Sequence, residues 1–252
     1  MGVRHRPRSL LLVAAVTVAI SCTAGPTTPA LSGSTEVSFA TADGVRLAGR
    51  LFGPQDSSAG IVLAHMLPAD QSSWYPEAEH LAGQGYRVLT FDLRGYCPGG
   101  DAGCSQGTKD LNAAPTDLAA ALSFLRSNGP QRVALVGASV GGIASLIVAS
   151  QQTNIPAVVT LSAPQVIDSL SAGTEVLASI TGAKLFIAGL GDPAGAAQAA
   201  ENLDAQSPDP KRLEIVPTDD HGTDLLTGGQ GTHVTQLIDA WLTQFLHPGG
   251  AT

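Results

Sequence analysis

The spacing of apolar residues changes character along the chain. Glu36–Ala40 and Val45–Phe52 alternate apolar with polar positions on either side of Thr41-Ala42-Asp43-Gly44. A period of two broken by an Asp-Gly pair predicts an antiparallel hairpin. Beyond it the pattern becomes a series of short, mainly apolar runs: Gly60–Ala64, Arg87–Phe91, Arg132 towards Ser139, Ile155–Thr160, Lys184–Ala188 and Arg212–Val216. Runs of that length, rich in Val, Ile and Leu, predict strands buried on both faces. Between them lie segments with three-to-four spacing, at Trp74–Gly83, Ala114–Arg126, Val140 to about Ala149, Ser171–Thr181, Ala194–Gln206 and Thr232–Leu246. Pro76 falls in a first turn, where its missing N–H costs nothing. Leu118, Leu122 and Leu125 form one helical stripe, and Val234, Leu237, Ile238, Trp241 and Phe245 another. A hairpin followed by six strands alternating with helices predicts one α/β domain over residues 36–248, a mostly parallel sheet of about eight strands covered on both faces.

The first 21 residues do not belong to this pattern. Met1–Arg8 is basic, and Leu10–Ile20 is apolar apart from Thr17. Such a run is too short to span a bilayer and has the form of an export signal. Ala19-Ile20-Ser21-Cys22 resembles a bacterial lipobox, with Ala19 where leucine or valine is usual. The resemblance implies cleavage before Cys22 and its lipidation; an ordinary cleavage site beside a bystander cysteine is the alternative. Residues 22–35, rich in Thr, Ser, Pro and Gly, read as a tether. The expected location is therefore the outer side of the bacterial cytoplasmic membrane, or secretion if Cys22 is unmodified.

Export sharpens the reading of charge and cysteine. Loss of Arg4, Arg6 and Arg8 with the leader takes the net charge from −8 to −11. An acidic chain with no basic run excludes nucleic acid as a partner, and leaves a lipid on Cys22 as its only tie to a membrane. The 4% aromatic content gives no stacking platform for bases. Cys97 and Cys104 flank a Gly-rich loop and are expected to pair as a disulfide outside the cytoplasm. Closing so short a loop stabilises by roughly 2–3 kcal/mol, so its expected use is to shape the loop. A metal site there lacks further ligands.

Ligands of open α/β sheets bind beyond the carboxyl ends of the strands. The reactive residues just past those ends are His65 and Met66, Asp92 and Arg94, Ser139, Asp192, and His221. Ser139 is the centre of Gly137-Ala138-Ser139-Val140-Gly141, a G-x-S-x-G sequence between a buried run and a helix. In a chain of 29 glycines that sequence alone is weak. At a strand-to-helix junction it predicts a nucleophile elbow, a turn tight enough to strain the serine backbone and present its hydroxyl.

With these residues together, the chain resembles the α/β-hydrolases over Glu36–Leu246. Gly189-Leu190-Gly191-Asp192 is similar to the family's acid-bearing loop, Asp219-Asp220-His221-Gly222 to its histidine loop, and Phe91-Asp92-Leu93-Arg94-Gly95-Tyr96 to the loop after its fourth strand. The order Ser, Asp, His is the family's own. The resemblance implies Ser139 as nucleophile, His221 as general base and then acid, and Asp192 as the carboxylate that orients the imidazole. Asp219, Asp220 and Asp168 are rival acids. It also implies an oxyanion hole made by the N–H of Val140 and that of Leu67 or Met66, where Met66 replaces the glycine usual after His65. His65 and Arg94 are expected at the rim of the site, His65 tying loops together by hydrogen bonds. His80, His233 and His247 are expected on the surface.

The ten residues Leu161–Leu170 leave no room for a lid, as in dienelactone-hydrolase-like and small carboxylesterase members. Serine rather than aspartate at the elbow excludes epoxide and haloalkane hydrolysis. The expected activity is cleavage of a carboxylic ester, small or part of the cell envelope, through an acyl-enzyme and with no metal or cofactor. An envelope acyltransferase using the same three residues, and a non-catalytic binding lipoprotein on the same fold, are the alternatives. The Cys97–Cys104 loop is expected to border the rim and shape the site.

Overall fold

The structure, a computed structural model, describes residues 1–3, 33–97 and 104–247. Most of the leader, Cys22, most of the tether, the tip of the Cys97–Cys104 loop and the last residues from Pro248 lie outside the described residues.

The hairpin strands are β1 (Ser34–Ala40) and β2 (Arg46–Phe52), paired antiparallel as the alternation predicts. Six parallel strands follow in the main sheet: β3 (Ala59–Ala64), β4 (Arg87–Phe91), β5 (Arg132–Ala138), β6 (Ala157–Leu161), β9 (Ala183–Gly189) and β10 (Lys211–Val216). Two two-residue strands, β7 (Val166–Ile167) and β8 (Leu170–Ser171), make a separate small ladder. The eight-stranded order is β1-β2-β4-β3-β5-β6-β9-β10. After β3 the chain steps back to β4, which fits between β2 and β3, then crosses to β5 in the middle of the sheet and runs outward through β6, β9 and β10.

The two-residue period decides which core each side chain enters. From β3, Val62 and Ala64 join the core under α2 (Ala114–Ser127), α3 (Val140–Gln151), α4 (Thr174–Ser179) and α5 (Ala196–Gln206). Ile61 and Leu63 join the opposite core under α1 (Tyr75–Gly83), α6 (Asp224–Thr227) and α7 (Gly231–Phe245). The expected stripe of α2 is fully buried, and in α7 only Phe245 stays partly exposed. Two differences arise where elements are short. The helix expected over Ser171–Thr181 shrinks to α4, because Ser171 pairs in the β7–β8 ladder. The four-residue α6 has too few turns to display a period, and exists because buried Leu225 anchors it to the core.

Glu77, on the buried face of α1, is only 6% exposed. Its Oε1 has no hydrogen-bond partner and its Oε2 accepts from Thr235 Oγ1 at 3.4 Å. Burial pushes its carboxyl up to about 7; nearby His80 pulls it down and Asp239 pushes it further up. A carboxylate whose folded value exceeds its unfolded one adds nothing unfavourable below pH 4.5, and its cost grows until it is complete above pH 7. Glu77→Gln is therefore expected to stabilise the protein by up to roughly 3 kcal/mol at pH 8 and by almost nothing at pH 4. Thermal unfolding at the two pH values checks this; equal effects at both would place the carboxyl in contact with solvent.

Candidate active site

At the end of β5 the chain turns so sharply that Ser139 takes φ 50° and ψ −115°, a region side chains rarely occupy. Close packing enforces the turn. A Cβ on Gly137 would run into the Gly141 carbonyl, and one on Gly141 into the Ala64 carbonyl at the end of β3. The Ser139 N–H is held by Leu161 C=O at 2.8 Å, so the turn is pinned to the neighbouring strand β6. α3 starts directly after it, and its first N–H groups have no intrahelical acceptor.

Asp192 and His221 leave the ends of β9 and β10. The Asp192 side chain is fully buried, and its Oδ1 accepts the Ala194 N–H at 2.9 Å. Its Oδ2 lies 2.7 Å from His221 Nδ1, with the imidazole 26% exposed. With the Nδ1–H donating to that carboxylate, His221 Nε2 is left with a free lone pair. Two of the three rival acids are engaged elsewhere. Asp168 accepts from Asn112 at 3.0 Å, Asp220 accepts from Thr218 at 2.7 Å, and Asp219 is exposed.

Ser139 and His221 line one cavity of about 370 Å³. Its other walls come from Ser162, from Pro164–Ile167 on the β7 side, and from Ala194, Ala196 and Ala199 at the start of α5. A larger hollow, about 830 Å³, lies between Phe39, Thr41, Pro115, Ala120, Phe124 and Ile147. It contains no nucleophile with a base beside it, so size alone does not mark the reactive site.

His65 and Arg94 stand apart from this cavity. His65 is fully buried, with Nδ1 2.8 Å from Met66 O and Nε2 accepting the Leu93 N–H at 3.0 Å. It joins the loops after β3 and β4, and burial pushes its imidazole down, towards the neutral form those two bonds require. Arg94 is 9% exposed and clamps Asp117 at 2.7–2.9 Å and Asp43 at 2.8 Å. The rim position expected for both is corrected: opposite charges and buried acceptors draw these side chains inward.

Cys97 and Cys104 are joined by a disulfide. Its described flanks fold away from Ser139, because Gln106 N–H binds Arg46 C=O at 2.8 Å and Ser105 Oγ accepts the Ala48 N–H at 3.0 Å. These contacts fasten the loop to β2, three strands from β5. Neither cysteine is among the cavity walls.

Met66 is 7% exposed and enters the core beside α1 and α7. Its sulfur fills the space where Gly222, at φ 58°, would carry a Cβ. The residue replacing the expected glycine thus packs beneath the histidine loop. His80 and His233 are exposed and pair with Asp239 and Glu214 at 2.9 and 3.3 Å, and His247 is exposed.

Comparison with known proteins agrees with the architecture. The model of the family described as alpha/beta hydrolase fold matches residues 61–177. The uncharacterized protein YfhR of Escherichia coli K12 is 30% identical over 211 residues, which span 73% of this chain and 72% of YfhR. The chain belongs to the α/β-hydrolase fold family. The thiohydrolase aneE of Aspergillus aculeatus is 32% identical over 115 residues, 44% of this chain and 36% of its own length. Among solved structures, the Pyrococcus furiosus esterase Pf2001 superposes with a TM-score of 0.70 at 20% identity, covering 89% of this chain and 96% of that one. The dienelactone hydrolase of Anabaena variabilis gives 0.66 at 22%, covering 85% and 98%. At these identities the superpositions speak for the fold.

Within this α/β-hydrolase one cavity residue escapes the sequence reading. Ser162 follows β6 immediately, as Ser139 follows β5, and is the polar residue at a strand end that the search for reactive groups passes over. Its position was the available signal; a serine before Ala-Pro carries no motif.

Proposed function

We propose that this protein is an exported serine hydrolase that cleaves carboxylic esters through an acyl-enzyme. The Asp192–His221 contact of 2.7 Å beside a strained Ser139 on the same cavity carries the reading. His221 takes the Ser139 proton as the hydroxyl attacks the ester carbonyl, and gives it to the departing alcohol. Asp192 keeps the imidazole in the productive tautomer and balances its charge while it holds the proton. The N–H of Val140, with that of Leu67 or Met66, faces the oxyanion. Water then repeats the sequence on the acyl-Ser139 ester and regenerates the enzyme. None of these steps calls on a metal or an organic cofactor. The basic and apolar leader and Cys22 support export and a lipid anchor.

A fluorophosphonate probe tests the reading directly. The mature protein should be labelled stoichiometrically at Ser139, and the Ser139→Ala variant should not react. A folded wild-type protein that stays unlabelled would make this a binding member of the fold rather than a hydrolase.

A further inference from the structure

Ser162 combines three properties that no other wall of the cavity among the described residues holds together. It holds φ 53°, it is 1% exposed, and its Oγ has no hydrogen-bond partner. Its backbone is fixed on both sides: Leu161 C=O receives the Ser139 N–H, and the Ser162 N–H donates to Ile187 C=O, each at 2.8 Å. Glycine would satisfy this left-handed backbone with less strain, so the serine contributes only a hydroxyl. An unpaired hydroxyl in an interior position is unfavourable until something binds it. The walls around it are otherwise mainly apolar, from Pro164, Val166, Ile167, Ala194, Ala196 and Ala199. Beyond Ser139 and His221, the polar wall residues are Ser162 and the more exposed Gln165.

We propose that the Ser162 hydroxyl, closed to solvent as it stands, turns about its Cα–Cβ bond into the cavity and hydrogen-bonds an oxygen on the acyl group as a specificity determinant, making hydroxy- or oxo-substituted acyl esters the preferred substrate class. The inference rests on the serine-hydrolase reading. The backbone bond between Ser139 and Leu161 sets Ser162 directly beside the nucleophile. The part of the substrate that stays there after the alcohol leaves is the acyl group, attached to Ser139. An unsubstituted chain in the same place buries the hydroxyl without a partner, and its transition state is bound less well by that difference.

The test compares kcat/KM, followed by proton release, for methyl butanoate and methyl 2- and 3-hydroxybutanoate. The alcohol side is varied separately with ethyl and 2-hydroxyethyl butanoate. Wild type is expected to favour at least one hydroxy-acyl ester by about tenfold, the size of one neutral hydrogen bond. Ser162→Ala keeps the Cβ and Ser162→Gly relieves the backbone, and both should bring that ratio close to one by lowering kcat/KM for the hydroxy-acyl ester more than for methyl butanoate. An unchanged ratio in either folded variant overturns the proposal, as does a change confined to the alcohol series or an equal fall in kcat for every ester. Absence of hydrolysis of all five esters by wild type would instead count against the serine-hydrolase reading.

Discussion

Ester turnover should fall by about 10⁶-fold in kcat when Ser139 becomes alanine, and by about 10⁴-fold when Asp192 becomes asparagine. The two numbers differ because the residues do different work. Without Ser139 no acyl-enzyme forms, and what remains is the binding of substrate beside the N–H groups that face the oxyanion. Asparagine is nearly isosteric with aspartate, so it can keep the 2.7 Å contact to His221 Nδ1. It can do so by donating its NH₂, which places the imidazole proton on Nε2 and removes the base. The residues act as a unit, so the double variant should be no slower than Ser139→Ala alone. Single-turnover kinetics on a chromogenic ester, with circular dichroism to verify the fold, measures all three. Near-wild-type turnover in Asp192→Asn would require another carboxylate to reach His221. The hydrogen bonds that occupy Asp168 and Asp220 make this the sharpest point of failure for the mechanism.

The sheet was legible because parallel strands buried on both faces announce themselves as unbroken apolar runs. β3 is such a run, β4 and β9 are interrupted only by Arg87, Thr90 and Lys184, and each lies within a residue of its expected limits. The elements that went unread are those whose energy comes from tertiary contacts rather than from a period. They include the 3-10 turn Gln71–Trp74, β7, β8 and α6. The elbow was legible because only glycine fits two residues to either side of Ser139, at positions 137 and 141. By contrast, the choice of Asp192 over Asp219, Asp220 or Asp168 as the carboxylate beside His221 came from the family resemblance, since proximity along the chain favours the wrong candidates. The direction of a loop after its strand was not legible either. Arg94 and the disulfide were expected at the rim because they follow β4, and the structure folds both towards β2 and α2. Asp92 shares that neighbourhood: it is fully buried and bound by the Gln71 N–H and Nε2 at 2.9 and 2.6 Å, with burial pushing its carboxyl up to about 6.

The inward turn of Arg94 leads to the second large effect, on stability rather than chemistry. Its guanidinium joins the hairpin turn at Asp43 to the first turn of α2 at Asp117. The Asp117 side chain is fully buried, whereas that of Asp43 is 49% exposed. Most of the loss on removing Arg94 therefore comes from Asp117, a carboxylate left in the interior without its cation. Arg94→Met is expected to destabilise the protein by about 3–5 kcal/mol at neutral pH. Burial already pushes the Asp117 carboxyl up while the guanidinium pulls it back, so without Arg94 its folded value rises well above the unfolded 3.8. That penalty is complete above the raised value and vanishes below 3.8. Asp43 works in the opposite sense: Arg94 holds it down at about 2, a stabilisation present above 3.8 and lost as pH falls through 2. Both terms bring wild type and variant together in acid, so their unfolding midpoints should converge as pH drops from 7 to 3. Adding Asp117→Leu to Arg94→Met should recover most of the loss at pH 7 by removing the unpaired charge. Because Arg94 is not a wall of the Ser139 cavity, kcat/KM on small esters should stay within about twofold at temperatures where the variant is folded. A pH-independent loss, or no recovery in the double variant, would mean that packing of the arginine stem holds the hairpin to α2 and its charge does not.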